Sequence, residues 1–123
     1  MSVSVSDGVS KMMLKGGIGD LPNKGDKITV HCTGSLAGKK PKKFWSTKDR
    51  GQSPFQFQVG LGKVIQGWDE GCMTMKRGEV AKFLIAGHKG YGDEGFPSWG
   101  IPPGAELIFE IEVLNIEIDD PTY

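Results

Sequence analysis

Nineteen glycines and seven prolines cut this 123-residue chain into short runs, and that punctuation limits its fold more than any single motif does. Strands joined by turns are expected, with little helix. Lys27-Ile-Thr-Val-His-Cys-Thr33 sets Ile28, Val30 and Cys32 on one face, and Phe55-Gln-Phe-Gln-Val59 alternates without interruption. Val80-Ala-Lys-Phe-Leu-Ile85 reads as a third strand, and residues 107–118 as the longest. In that last run Leu107, Phe109, Ile111 and Val113 share one face, while Leu114, Ile116 and Ile118 follow the other parity. A β-bulge or bend near Val113 reconciles the two phases.

One segment breaks the period of two. Residues 63–75 space Ile65, Trp68 and Cys72 at three and four positions, the pattern of a short amphipathic helix of about two to three turns. Gly67 and Gly71 lower its intrinsic propensity, so packing onto a sheet must hold it. The expected fold is α+β: a five- or six-stranded antiparallel curved sheet wrapped around one short helix. With no internal repeat or low-complexity linker, residues 1–123 are expected to form one domain, its core about residues 7–117.

Charge and cysteine content narrow the function classes. Fifteen basic residues balance fifteen acidic ones, leaving no global field to draw the chain onto nucleic acid or an anionic membrane. The first residues lack a basic region followed by an apolar run, and no stretch approaches a membrane span, so a cytoplasmic protein, expected to be monomeric, is inferred. Lys39-Lys-Pro-Lys-Lys43 is either a solvated loop or a nuclear-localisation signal that would add a nuclear location. Two cysteines, Cys32 and Cys72, do not make a disulfide framework and read as reduced, buried thiols. His31 and Cys32 are strand neighbours on opposite faces and cannot chelate one ion together, so no metal or other cofactor is expected.

Familiar catalytic motifs fail on spacing. Gly60-Leu-Gly62 would need its third glycine where Ile65 stands, and no βαβ unit surrounds it. Gly34-Ser-Leu-Ala-Gly38-Lys39-Lys40 is one residue short of a phosphate-binding loop and has Lys in place of the magnesium-binding Ser or Thr. No nucleophile elbow accompanies His31 or His88. What stands out is aromatic content near turns: Phe44-Trp45, Phe55, Trp68, Tyr91, Phe96 and Trp99. Phe96-Pro-Ser-Trp-Gly-Ile-Pro-Pro103 places large apolar groups in a Gly- and Pro-rich loop, where they are expected to line a site.

Taken in order, Val30-His-Cys-Thr-Gly34, Phe44 with Asp49, Pro54-Phe-Gln-Phe57, Val64-Ile-Gln-Gly-Trp68, Tyr91-Gly92 and Ile101-Pro-Pro103 resemble the FK506-binding protein family of prolyl isomerases. The resemblance covers roughly residues 7–117, and details around Cys32, residues 43–49 and residues 95–101 are similar to the small members of plants and some protists. It implies a peptidyl-prolyl cis-trans isomerase acting on proline-containing peptides and proteins and binding FK506- or rapamycin-type macrolides. The alternative is a non-catalytic module that holds proline loops in the same pocket. By resemblance, Trp68 forms the pocket floor and Phe55, Val64, Ile65 and Phe109 its walls. Tyr91 donates its hydroxyl and Ile65 its backbone N–H to ligand carbonyls, Phe44 and Ile101 complete the lining, and Phe96 and Trp99 lie on the overhanging loop. The chain departs from the family at Cys32 for Tyr, Trp45 for Asp and Phe96 for His. The missing Asp removes a hydrogen-bond partner for a drug hydroxyl, which leaves Trp45 at the drug- and substrate-binding rim.

Overall fold

The computed structural model describes residues 2–38 and 41–118. Seven strands and one α-helix follow in the order β1 (Ser2–Ser6), β2 (Val9–Lys15), β3 (Lys27–Leu36), β4 (Lys42–Ser46), β5 (Phe55–Gln58), α1 (Gln66–Cys72), β6 (Val80–Ile85) and β7 (Leu107–Glu117). The strands form an antiparallel sheet in the order β1-β2-β6-β7-β3-β4, with β5 also on β3. Both β5 and β4 use the β3 edge opposite β7, β5 along residues 27–30 and β4 along residues 33–36. Thr47 covers the gap between them. Its N–H donates to the Cys32 carbonyl at 2.9 Å, and its Oγ1 accepts from the Cys32 N–H at 2.9 Å. Lys42 and Lys43 of the basic run are exposed at the start of β4, while Lys39 and Lys40 lie outside the described residues.

The bulge read from the two phases of β7 is present. Thr29 pairs with Asn115 but Val30 with Val113, so Leu114 is the extra residue, turned outward and exposed. Periodicity did not single out β1, β2 or β4. In β2 the reason is Lys11, a charge at an inward, buried position. Its ammonium lies 2.6 Å from Glu79 Oε2 and donates to the Thr74 carbonyl at 2.8 Å, so the pair is compensated where an isolated charge would be prohibitive.

The helix is shorter than residues 63–75. Ile65 has φ −57°, ψ 150°, so helical geometry starts only at Gln66. At the other end the Thr74 and Met75 N–H groups donate back to Gly71 and Cys72, tightening the last turn. Gly67 and Gly71 explain how so short a helix is held. A Cβ on Gly67 would sit 2.6 Å from Ile85 Cγ2, and one on Gly71 would sit 2.8 Å from Phe83 Cε1. The missing side chains let α1 lie directly on β6, where the close approach offsets the helical propensity lost. Trp68, Cys72 and Met75 complete a core with Ile28, Val30, Phe83, Phe109 and Ile111 from the sheet. Among the described residues no helix is long and apolar enough to cross a membrane.

Candidate functional site: an aromatic cavity between helix and sheet

A cavity of about 440 Å³ opens beside α1, lined by Trp45, Phe55, Gly62, Lys63, Val64, Ile65, Trp68, Tyr91, Trp99 and Phe109. Trp68 is its floor. The indole is almost wholly buried and meets Phe109 and Phe55 edge-to-face at 5.3 and 5.8 Å, and Phe57 at a tilt of 56° and 5.6 Å. Edge-to-face pairs of this kind are worth about 0.5–1.5 kcal/mol beyond the area they bury, and they favour this one orientation of the indole. Its Nε1–H has no hydrogen-bond partner among the described residues.

The rim on the β4 side depends on a second bulge. Gly34 pairs with Trp45 but Ser35 with Lys43, which leaves Phe44 as the extra residue. In a regular strand Phe44 and Trp45 would point to opposite faces. Here both turn towards Trp99, Phe44 at 6.0 Å and Trp45 stacked at 5.6 Å with planes 24° apart. Gly34 makes this possible, because a Cβ there would lie 2.6 Å from Phe109 Cε1 and 2.7 Å from Phe44 Cζ.

Trp99 itself is carried on a closed loop. Phe96 and Ile101 exchange backbone hydrogen bonds of 2.9 and 3.1 Å, and Pro97–Trp99 forms a single 3-10 turn between them. The loop thereby presents Trp99, 38% exposed, to the cavity mouth.

Two polar groups border the apolar surface. The Tyr91 ring stacks on Phe96 at 5.4 Å and 11°. Burial pushes its hydroxyl above the ordinary tyrosine range, so it remains a donor at neutral pH. Ile65 caps the helix with its backbone still extended, and among the described residues its N–H has no acceptor, as the first N–H groups of a helix must. Asp69 fixes the segment leading to it. One carboxylate oxygen accepts from the Gly60 N–H at 2.8 Å and the other from the Gly62 N–H at 2.9 Å. Lys63 is drawn aside, its ammonium donating to Gln58 Oε1 at 3.1 Å.

Of the residues singled out from sequence, the cavity brings together Trp45, Phe55, Val64, Ile65, Trp68, Tyr91, Trp99 and Phe109. Phe44, Phe96 and Ile101 stand outside the lining. Phe44 backs Trp99 and meets Phe109 edge-to-face at 5.7 Å, Phe96 backs Tyr91, and Ile101 is buried in the core. Gly62 and Lys63 line the cavity but carry no pattern that distinguishes them from an ordinary turn.

A curved antiparallel sheet closed by one short helix, with an aromatic cavity between them and two N–H or O–H donors at its border, defines the architectural class. Residues 19–114 match the family described as FKBP-type peptidyl-prolyl cis-trans isomerase. The chain is 51% identical over 111 residues to peptidyl-prolyl cis-trans isomerase FKBP12 of Arabidopsis thaliana and 50% identical over 111 residues to that of Vicia faba, covering 89% of this chain and 99% of each relative. FK506-binding protein 1A of Aspergillus fumigatus is 48% identical over 110 residues, 89% of this chain and 95% of its own. The chain belongs to the FKBP-type peptidyl-prolyl cis-trans isomerase family.

Proposed function

We propose that the cavity on Trp68 is the isomerase site and that it also receives FK506-type macrolides. The observation that carries this reading is the composition of the lining. Apolar and aromatic groups surround a space of ligand size, and Tyr91 O–H and Ile65 N–H are donors at its border. Rotation about an Xaa-Pro bond is slow because twisting the amide breaks resonance, with a barrier of about 18–20 kcal/mol. No bond has to be made or cleaved. The planar amide is more polar than the twisted one, so an apolar cavity penalises the ground state more. Burying an unpaired amide costs about 2–7 kcal/mol, and each ~1.36 kcal/mol of differential effect is tenfold in rate. The prolyl ring rests on Trp68, while Tyr91 and the Ile65 N–H hold flanking carbonyls so that rotation occurs in one place.

The test is line-shape or exchange NMR on a Leu-Pro or Phe-Pro peptide. Trp68→Ala should lower kcat/KM about a hundredfold, because it removes the floor, and Tyr91→Phe about tenfold, the equivalent of one hydrogen bond. Wild-type kinetics for a folded Trp68→Ala variant would place the site elsewhere.

Relatives named FK506-binding proteins support macrolide binding, which the proposal assigns to the same cavity. An indole at Trp45 offers no acceptor to a drug hydroxyl, so the macrolide is held by apolar contact and by the two donors. Calorimetry with FK506 should show binding that Trp45→Asp tightens; weaker binding by that variant would contradict the reading. The same proposal takes the protein as a cytoplasmic monomer, with nuclear entry depending on residues 39–43. Sedimentation as a dimer, or a location unchanged by neutralising those lysines, would count against these parts.

A further inference from the structure

We infer that the Lys89–Glu70 ion pair is a positioning clamp that sets the distance between the helix side of the pocket and Tyr91, and that turnover depends on it. The inference rests on the reading of Tyr91 and Ile65 as the two donors of the isomerase site. Those donors stand on different elements. Ile65 opens α1, whereas Tyr91 lies between two single 3-10 turns, Gly87–Lys89 and Gly92–Glu94.

The Tyr91 segment is closed by hydrogen bonds within its own turns, Lys89 N–H to the Ala86 carbonyl at 2.9 Å, Gly90 N–H to Gly87 at 3.0 Å and Gly95 N–H to Tyr91 at 3.1 Å, which set its local shape but not its distance from the helix. Its backbone tethers run away from the helix, through Ala86 N–H to the Gly8 carbonyl at 2.8 Å and Gly104 N–H to the Gly92 carbonyl at 2.7 Å. Among the described residues, the hydrogen-bonded link from this segment to α1 is Lys89, whose ammonium donates to both oxygens of Glu70 at 2.8 and 2.9 Å. Glu70 is two residues past the pocket floor, and Lys89 two residues before Tyr91. Lys89 is largely desolvated, which strengthens the pair relative to a surface one.

Glu70 also accepts from Gln66 Nε2 at 2.7 Å and from the Ser6 hydroxyl of β1. With those donors the carboxylate stays satisfied when Lys89 is lost. The clamp can therefore be opened with little cost to the fold, and its effect falls on geometry at Tyr91.

The experiment measures kcat and KM on a Phe-Pro peptide, with melting temperatures, for wild type, Lys89→Met, Lys89→Arg, Tyr91→Phe and the double variant Lys89→Met/Tyr91→Phe. Lys89→Met keeps the aliphatic stem and should lower kcat about five- to tenfold, with KM within about twofold and melting within about 3 °C of wild type. Lys89→Arg should restore most of the loss. In the Tyr91→Phe background Lys89→Met should change kcat by less than about twofold, because the group it positions is gone. The clamp is overturned if Tyr91→Phe lowers kcat while Lys89→Met does not, or if the two losses multiply. Unchanged kcat in Tyr91→Phe alone would refute the role of Tyr91 and take the clamp with it. Should Lys89→Met fail to fold, Glu70→Gln is held to the same kcat pattern, alone and with Tyr91→Phe.

Discussion

Replacing Gly34 probes whether the β4 bulge and the pocket wall depend on each other. In Gly34→Ala the new Cβ would lie 2.6 Å from Phe109 Cε1 and 2.7 Å from Phe44 Cζ. Comfortable carbon contacts are about 3.5–4.0 Å, so both rings are overlapped by about 1 Å. Phe109 is buried and held edge-to-face by Trp68, so the half-buried Phe44 is the ring expected to give way. Overpacking of this kind costs about 1–3 kcal/mol. For a chain of this length that is a fall in melting temperature of roughly 4–12 °C. Because Phe44 supports Trp99 at 6.0 Å, its displacement also disturbs the cavity mouth, and kcat/KM should fall about tenfold. Gly16→Ala is the control, since no atom lies within 4 Å of its Cβ position. It should be neutral or stabilise by about 0.4–1 kcal/mol. Calorimetric melts and peptide isomerisation, run on both variants, decide the matter. If Gly34→Ala melts within about 2 °C of wild type, or moves as Gly16→Ala does, the packing argument is wrong.

Three further outcomes are expected. Lys11→Met should cost about 3–5 kcal/mol in urea unfolding by stranding buried Glu79, while Lys11→Met/Glu79→Leu should recover most of that; a double variant as unstable as the single one would contradict it. Burial works to raise the Glu70 carboxyl, but hydrogen bonds from Lys89, Ser6 and Gln66 and the charge of Lys89 outweigh it and hold it below the usual glutamate range. A depressed carboxylate stabilises fully above its unfolded value of about 4.3 and loses that contribution as pH falls through the lower folded value. Stability of Glu70→Gln should therefore converge on wild type in acid; a constant difference from pH 7 down to pH ~2 would count against the assignment. Burial pushes the Cys32 thiol up to about 12, against a partial offset from Thr47, and also raises Cys72. Both thiols should react with a disulfide reagent at pH ~8 only at the rate of global unfolding, and rapid labelling of the native protein would be inconsistent with the burial described.

The sequence made some elements plain because a single rule governed them. Residues 27–36, 55–58, 80–85 and 107–117 alternate against one core, and even the extra residue in β7 shows as a change of parity at Val113 and Leu114. Elements that satisfy two demands at once were harder to see. Lys11 interrupts the apolar pattern of β2 because its partner, Glu79, is remote in sequence. In β4 the consecutive Phe44 and Trp45 look like a loop until Gly34 is seen to accommodate a bulge. The spacing places the helix correctly but too long, since Val64 and Ile65 contribute apolar side chains from ahead of its first turn, Ile65 with an extended backbone. At the site, residue type identified the aromatic groups but not their order in depth. Phe44, Phe96 and Ile101 support the residues that face the cavity, a distinction carried by contact and invisible in a linear pattern. Asp69 and Glu70, which fix the two donor-bearing segments, look in sequence like an ordinary solvated helix face.

All three tryptophans of the chain, Trp45, Trp68 and Trp99, line one cavity. Their ultraviolet emission consequently reports on the pocket and on the core beneath its floor. Trp45 lies 5.6 Å from Trp99 and 6.3 Å from Trp68, so the three indoles form one contiguous run from rim to floor, close enough for their excited states to couple. A ligand that parts the stack changes the near-ultraviolet circular dichroism, and one that rests on Trp68 changes the emission. The protein thus carries a built-in, label-free readout of whether its pocket is occupied.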